Sequence, residues 1–255
     1  MSMPLVDPRA IDDVIYPDCD DQPMAENALQ SLVIRTIVCG FERLHRGRAD
    51  VFIGGDNFWY PVKGEPGTVI APDVLVVVDL PQPVDVRTMG SYRQFEHGGR
   101  VQLAVEVLSP SNTWAEMTRK RQFYDRHGVD EYWMFEPIDG TFEAWVRDHG
   151  KLTAVANPGA GWVSPATGVH VRVVEGLLHL HDPDGRRRWL TPAEESELAG
   201  HAMAEAARAD AEAQRADTAT QRADAEAARA DTAERLAAEL QRQLAELRSR
   251  LAPPD

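Results

Sequence analysis

The sequence predicts an α/β (α+β) domain followed by a long C-terminal helix. Three observations lead there. Helix-period and strand-period segments succeed one another in the order helix, strands, helix, strands up to about Leu190. Val74 to Val78 is a continuous β-branched and leucine run of the kind that forms a strand covered on both faces. After Pro192 a seven-residue repeat takes over, Arg208-Ala-Asp, Arg215-Ala-Asp, Arg222-Ala-Asp, Arg229-Ala-Asp. These shifts divide the 255 residues into an arm (1–22), a globular domain (23–190) and an alanine-rich helical tail (191–255).

The arm is acidic and punctuated by prolines. Pro23 can open a helix, and the spacing of Leu29, Leu32, Val33, Ile37 and Leu44 predicts an amphipathic helix over 24–44. Val51 to Ile53 and Phe58 to Val62 read as strands around the turn Gly54-Gly55-Asp56-Asn57. Leu80 to Gly99 reads as a loop rich in proline and glycine. Val101 to Leu108 is the next strand, with Val101, Leu103, Val105 and Val107 expected on one face and Gln102, Ala104 and Glu106 on the other. Ser109 to Asn112 is a turn. A helix follows over about 113–127, closed by Gly128. Strands are expected at 131–135, 142–146, 152–156, 169–174 and 177–181.

In the tail, Ala209, Ala216, Ala223, Ala230, Ala237, Leu244 and Leu251 fall at heptad position a. Ala219, Ala233, Leu240 and Leu247 fall at d, as do Glu212 and Glu226. Alanine favours the helix but buries little at each contact. The register therefore allows a solvated single helix or coiled-coil-like association through the leucine-rich end.

Composition limits the function. Apolar residues make up 43% of the chain, enough for a core. A net charge of −14 speaks against holding nucleic acid by bulk charge and confines any such contact to a local cleft. No apolar run reaches the roughly 18 residues of a membrane span. The first ten residues lack a signal-peptide pattern. Cys19 and Cys39 are expected as reduced thiols in a cytoplasmic protein.

Two acids and a lysine carry the chemistry. Asp73 starts the buried strand, and a strand-start Asp is common. Glu106 sits on the minority face of a hydrophobic strand, where it needs a cation, a hydrogen-bond network or an open cleft; a strand-end Glu facing solvent is the alternative. Lys120 lies on the following helix between Arg119 and Arg121, and Glu116 stands four residues before it, so a plain surface pair also accounts for it. Hard divalent cations want oxygen ligands, and phosphodiester cleavage wants a metal and a positioned cation. Together the three point to a metal-dependent nuclease. Tyr124, Val129, Tyr132 and Trp133 read as core. Tyr92, Arg93 and His97 lie in the loop before the Glu106 strand and are expected either as substrate contacts or as ordinary loop residues. Arg186-Arg187-Arg188 reads as a solvated turn or a backbone contact.

The strings Ala71-Pro-Asp-Val-Leu-Val-Val-Val78, Ala104-Val-Glu-Val-Leu-Ser-Pro-Ser111 and Lys120-Arg-Gln-Phe-Tyr-Asp-Arg-His-Gly-Val-Asp-Glu-Tyr-Trp133 resemble the Uma-type putative restriction endonuclease family of the PD-(D/E)XK nuclease superfamily. The resemblance spans roughly 24–180. It implies a restriction-endonuclease-like core, a central mixed sheet flanked by helices. It implies that Asp73 and Glu106 hold Mg²⁺ (or Mn²⁺), with a carbonyl near Val107 as a further ligand and Glu26 as an accessory acid. The superfamily lysine ordinarily stands two residues after the second acid; Leu108 occupies that place here, and Lys120 takes the role from the helix. DNA is the implied substrate, with RNA open. The rival reading is a catalytically quiet nuclease fold whose coiled-coil tail mediates interaction or homo-oligomerisation.

Overall fold

A computed structural model of the chain describes residues 14–17, 27–85 and 87–251, the side chains of 247–251 excepted. Glu26 and Cys19 lie outside the described residues. Two compact units result, Met1–Glu195 and Ser196–Asp255.

Helix α1, Ala28–Leu44, starts at Asn27, whose side chain accepts the Gln30 backbone N–H (2.8 Å). Strand β1 (Phe52–Gly54) follows, then β2 (Trp59–Tyr60) and β3 (Val74–Val78), all five of whose residues are buried. The stretch expected as loop contains β4 (Tyr92–Arg93) and a one-turn helix α2 (Gln94–His97). Tyr92 and Arg93 pair in parallel with Trp59 and Tyr60, a long-range partnership that glycine and proline content conceals. Strand β5 is Arg100–Val107 and helix α3 is Trp114–Arg126. Thr113 and Glu116 close a reciprocal capping box at the start of α3, and Gly128 takes the left-handed conformation (φ 80°) just past its end. Strands β6 (Glu131–Glu136), β7 (Thr141–Asp148), β8 (Lys151–Ala154), β9 (Trp162–Val163), β10 (His170–Val174) and β11 (Leu177–His181) lead to helix α4, Pro192–Leu251.

The central sheet has the order β1-β3-β5-β6-β7-β8. Within this sheet, among the described residues, only β5 and β6 pair in parallel, and α3 is their crossover. The sheet is therefore mixed and lies between α1 and α3. Leu103, Val105 and Val107 of β5 face the α1 side with Ile34, Ile37 and Phe41, whereas Val101 and Ala104 join Tyr124 and Tyr132 on the α3 side. Val101 thus leaves the face its alternation assigns. The β3–β5 register slips between Val76 and Val77, inserting one residue into β5 and reversing the faces beyond it.

A second sheet, β11-β10-β9, covers the α1 side through Val171 and Leu180. Trp189 closes that core against Phe41 and lies directly over Gly40, where a Cβ would sit 2.0 Å from the indole. A fully buried carboxylate, Glu131, fastens the loop before β10. It accepts from Trp133 Nε1 (3.0 Å), Ser164 Oγ (2.6 Å) and the Ala166 backbone N–H (2.8 Å). Burial raises its pKa against these donors, and no cation pairs with it among the described residues. Glu131→Gln turns one acceptor into an amide NH₂ facing a donor. We expect a loss of about 1–3 kcal/mol in urea unfolding near neutral pH; an unchanged midpoint would show that the three donors find other partners.

Helix α4 starts on a second capping box. Glu194 N–H donates to Thr191 Oγ1, and the Glu194 carboxylate takes the Thr191 N–H at 2.7 Å, which with Arg188 holds its pKa down at about 2. In the second unit every described side chain is exposed, including Leu236, Leu240 and Leu244. Local pairs such as Arg235–Asp231 stitch the helix surface. No described helix is long and apolar enough to cross a membrane. Cys39 is a free thiol.

Candidate active site

Register brings the first two residues together. Val74 pairs with Val105, so Asp73, one step before Val74, stands opposite Glu106, one step after Val105. Cross-strand neighbours share a face, and here it is the α3 face. Asp73 Oδ2 accepts the Val107 backbone N–H at 2.6 Å, which ties the start of β3 to the end of β5. Glu106 is 2% exposed.

Helix α3 supplies the other two groups. Ser109 and Asn112 bond reciprocally, Ser109 N–H to Asn112 Oδ1 (2.8 Å) and Asn112 N–H to the Ser109 carbonyl (3.1 Å), and so fix where the helix begins. Lys120 and Tyr124 are four residues apart on one stripe of α3. Lys120 Nζ lies 2.8 Å from Glu106 Oε2, and Tyr124 donates its hydroxyl proton to Glu106 Oε1. Glu116 does not pair with Lys120 as the surface reading had it. Its carboxylate turns back to Asn112 and the Thr113 N–H, as the capping box requires.

The electrostatics follow from burial. Asp73 has a pKa well above the usual carboxylate range, first through desolvation and then through the charge of Glu106. Burial also raises Glu106, against the pull of Lys120 and the Tyr124 hydroxyl. Burial draws the Lys120 ammonium down, but Glu106 and Asp73 more than offset it and its pKa ends above normal. Tyr124 is raised well above 10 by burial and by Glu106, so it stays a donor. Two carboxylates thus share one ammonium, and Asp73 Oδ1 takes no hydrogen bond among the described residues.

That donor set fits a hard divalent cation, with oxygen ligands, surplus negative charge and an uncommitted carboxylate oxygen. Asp73 and Glu106 are the groups that would hold it. Among the described residues, no cluster of three His, Cys, Asp or Glu forms a metal cage on its own. The Val107 carbonyl, expected as a further ligand, accepts from Gln30 Nε2 at 2.8 Å, which anchors the start of α1 to the same strand end.

The loop residues are each held by contacts of their own. Tyr92 is fully buried, with its hydroxyl donating to the Gly98 carbonyl (2.6 Å), so its side chain is withdrawn from any substrate in solvent. The ring of His97 stacks on Tyr92, and its Nδ1 lies 2.9 Å from the Arg93 carbonyl. The Arg93 guanidinium lies over the Tyr16 ring and pairs with Glu96. Arg187 and Arg188 pair with Glu195 and Glu194. Sequence reasoning missed the contacts of Tyr124 and Gln30. Tyr124 does belong to the core, yet its place one turn after Lys120 was a signal that its hydroxyl reaches the same target.

Comparison with known proteins gives two findings. The profile of the Uma2 family, described as "Putative restriction endonuclease", matches residues 21–176. A solved structure, of a putative nuclease belonging to DUF820 from Anabaena variabilis ATCC 29413, superposes with a TM-score of 0.42 at 13% identity, covering 55% of this chain and 74% of that one. No curated protein matches the sequence.

Proposed function

The chain belongs to the Uma2 family, and from that premise we propose that it is a divalent-metal-dependent endonuclease that hydrolyses phosphodiester bonds in DNA. One observation supports this reading above the others. Asp73 and Glu106 stand side by side on a strand pair, with Lys120 the one cation they share among the described residues.

Asp73 and Glu106 would hold Mg²⁺ or Mn²⁺, which when bound would supply Lewis-acid neutralisation of the phosphate and a more acidic water. The protein contributes position. Tyr124 and Lys120 occupy separate oxygens of Glu106 and fix the plane of its carboxylate. The Val107 N–H does the same for Asp73. The Lys120 ammonium has three N–H donors and spends one on Glu106. The others orient the attacking water or offset charge developing on the phosphoryl oxygens. Hydrolysis needs no covalent intermediate.

The test is nicking of supercoiled plasmid by the full chain with Mg²⁺. Glu106→Ala and Lys120→Ala should each remove it, and Tyr124→Phe should slow it about tenfold while leaving the circular dichroism spectrum intact, in line with the 10–100-fold cost of losing a group that orients a metal ligand. Activity equal to wild type in Glu106→Ala would end the proposal.

The exposed leucines of the tail favour a second role, homo-oligomerisation through the leucine-rich end of α4. Light scattering should give a multiple of the 28.3 kDa chain mass, reduced to a monomer when the chain stops after Glu195. A monomeric full chain would leave α4 a solvated rod.

A further inference from the structure

The outer face of the three-stranded sheet carries a basic cluster. His170 faces His181 and Arg172 faces His179 across the β10–β11 ladder, while Val171 and Leu180 between them point into the core. This face bounds an open cavity of about 500 Å³.

Negative charge does not balance it. Arg172 is exposed and has no ion-pair partner among the described residues. Burial lowers the pKa of His181, and each charge that then acts on it, from His179, His170, Arg188 and Arg172, lowers it further. No carboxylate lines the cavity among the described residues. Asp182 accepts from Arg43 and from Trp189 Nε1, and Asp184 accepts the Arg186 backbone N–H. Glu194 and Glu195 pair with Arg188 and Arg187. In a chain of net charge −14, a concave face that presents Arg172 and three imidazoles, with no carboxylate in its lining among the described residues, is a local exception that an anion relieves.

We propose that this face is a phosphate-binding site, distinct from the Asp73–Glu106 centre, that takes the phosphate of a nucleotide or of a nucleic-acid strand. The distinction is topological, since β10 and β11 pack on the α1 side of the central sheet and Glu106, Lys120 and Tyr124 lie on the α3 side. The Arg172 guanidinium offers a planar fork of donors matched to phosphate oxygens. The imidazoles of His179 and His181 add ring nitrogens that can donate. The cavity exceeds the size of one phosphate and falls among volumes that hold small organic ligands.

The test uses the full chain at about pH 6 in EDTA, where cleavage plays no part. Three probes are titrated: inorganic phosphate, AMP and a fluorescent single-stranded 15-mer. Arg172→Ala and His179→Ala should each weaken binding at least about fivefold, and Arg172→Ala should lower the salt slope for the 15-mer by about one. Tighter binding of the 15-mer than of AMP assigns the site to a strand, and the reverse assigns it to a free nucleotide. Both variants alter exposed or half-exposed side chains and should keep the wild-type melting curve. Equal affinity of all three probes for wild type and both variants, or no binding of any probe, overturns the proposal. Because no cleavage is measured, this result is independent of whether the protein is a nuclease.

Discussion

Asp73→Asn should abolish plasmid nicking and make the metal-free protein more stable at pH 8. Both effects have one cause. Asp73 is held partly buried beside Glu106, with a backbone N–H and a shared ammonium as compensation. Its pKa is raised, first by burial and then by Glu106, so between the ordinary value near 4 and the raised one the folded protein retains a proton that the unfolded chain releases. By linkage, stability falls as pH rises through that window, and above it the wild type carries the whole penalty. Asparagine has no charge to desolvate and still offers an oxygen to the Val107 N–H. The gain should therefore be near zero around pH 4 and grow as pH rises through that window. For a domain of this size about 1 kcal/mol moves the melting midpoint by roughly 2–4 °C, and a rise of that order is expected in EDTA. Nicking should drop at least about a hundredfold, since even groups that only support a metal ligand cost 10–100-fold when lost. Mg²⁺ should raise the midpoint of wild type and leave Asp73→Asn unmoved. A variant that is less stable at pH 8 and still nicks DNA would remove Asp73 from the site.

What could be read from the sequence was local. Val74 to Val78 and the α3 helix announce themselves within a few residues, through β-branching and through the cap-forming turn and the glycine that bracket the helix, whereas the Thr113–Glu116 capping box emerges only from the structure. Glu106 stood out as a charge on a hydrophobic strand. The rest depends on pairings that no window contains. The adjacency of Asp73 and Glu106 is set by the register of β3 on β5, and the displacement of Val101 by a slip in that same register. Tyr92 in a glycine-rich stretch looked like an exposed contact because its parallel partner, Trp59, lies far upstream. His170, Arg172, His179 and His181 stand at alternate positions in the sequence, but alternation cannot say which face of a strand is covered. Only Val171 and Leu180 meeting the α1 core decides it. Tyr124 shows the limit from the other side: one aromatic can fill a core and present a hydroxyl to a carboxylate, and composition registers only the first.

Lys120→Met separates what the lysine does for folding from what it does for chemistry. The ammonium sits 2.8 Å from Glu106 Oε2, with side-chain exposures of 23% and 3%. Removing one partner of such a pair leaves a buried charge, at a cost of about 3–5 kcal/mol when burial is complete. Partial exposure of the lysine puts the expectation at the lower end. Without Lys120 the Glu106 pKa, already raised by burial, rises further, and the folded state keeps its proton over a wider range. The deficit should therefore be largest at pH 8 and shrink as pH falls toward about 4.5, the ordinary glutamate value. Glu106→Gln in the same chain removes the stranded charge and keeps an oxygen for the Tyr124 hydroxyl. The double variant should then recover most of the lost urea midpoint, because exchanging both members of a buried pair is often near neutral. Nicking should stay absent in both. Stability restored without activity would mean that the pair is held for its reaction, and that the fold tolerates it only because each charge answers the other. A double variant as unstable as Lys120→Met would instead show that the aliphatic stem of the lysine carries the stability and that the charge pair adds little.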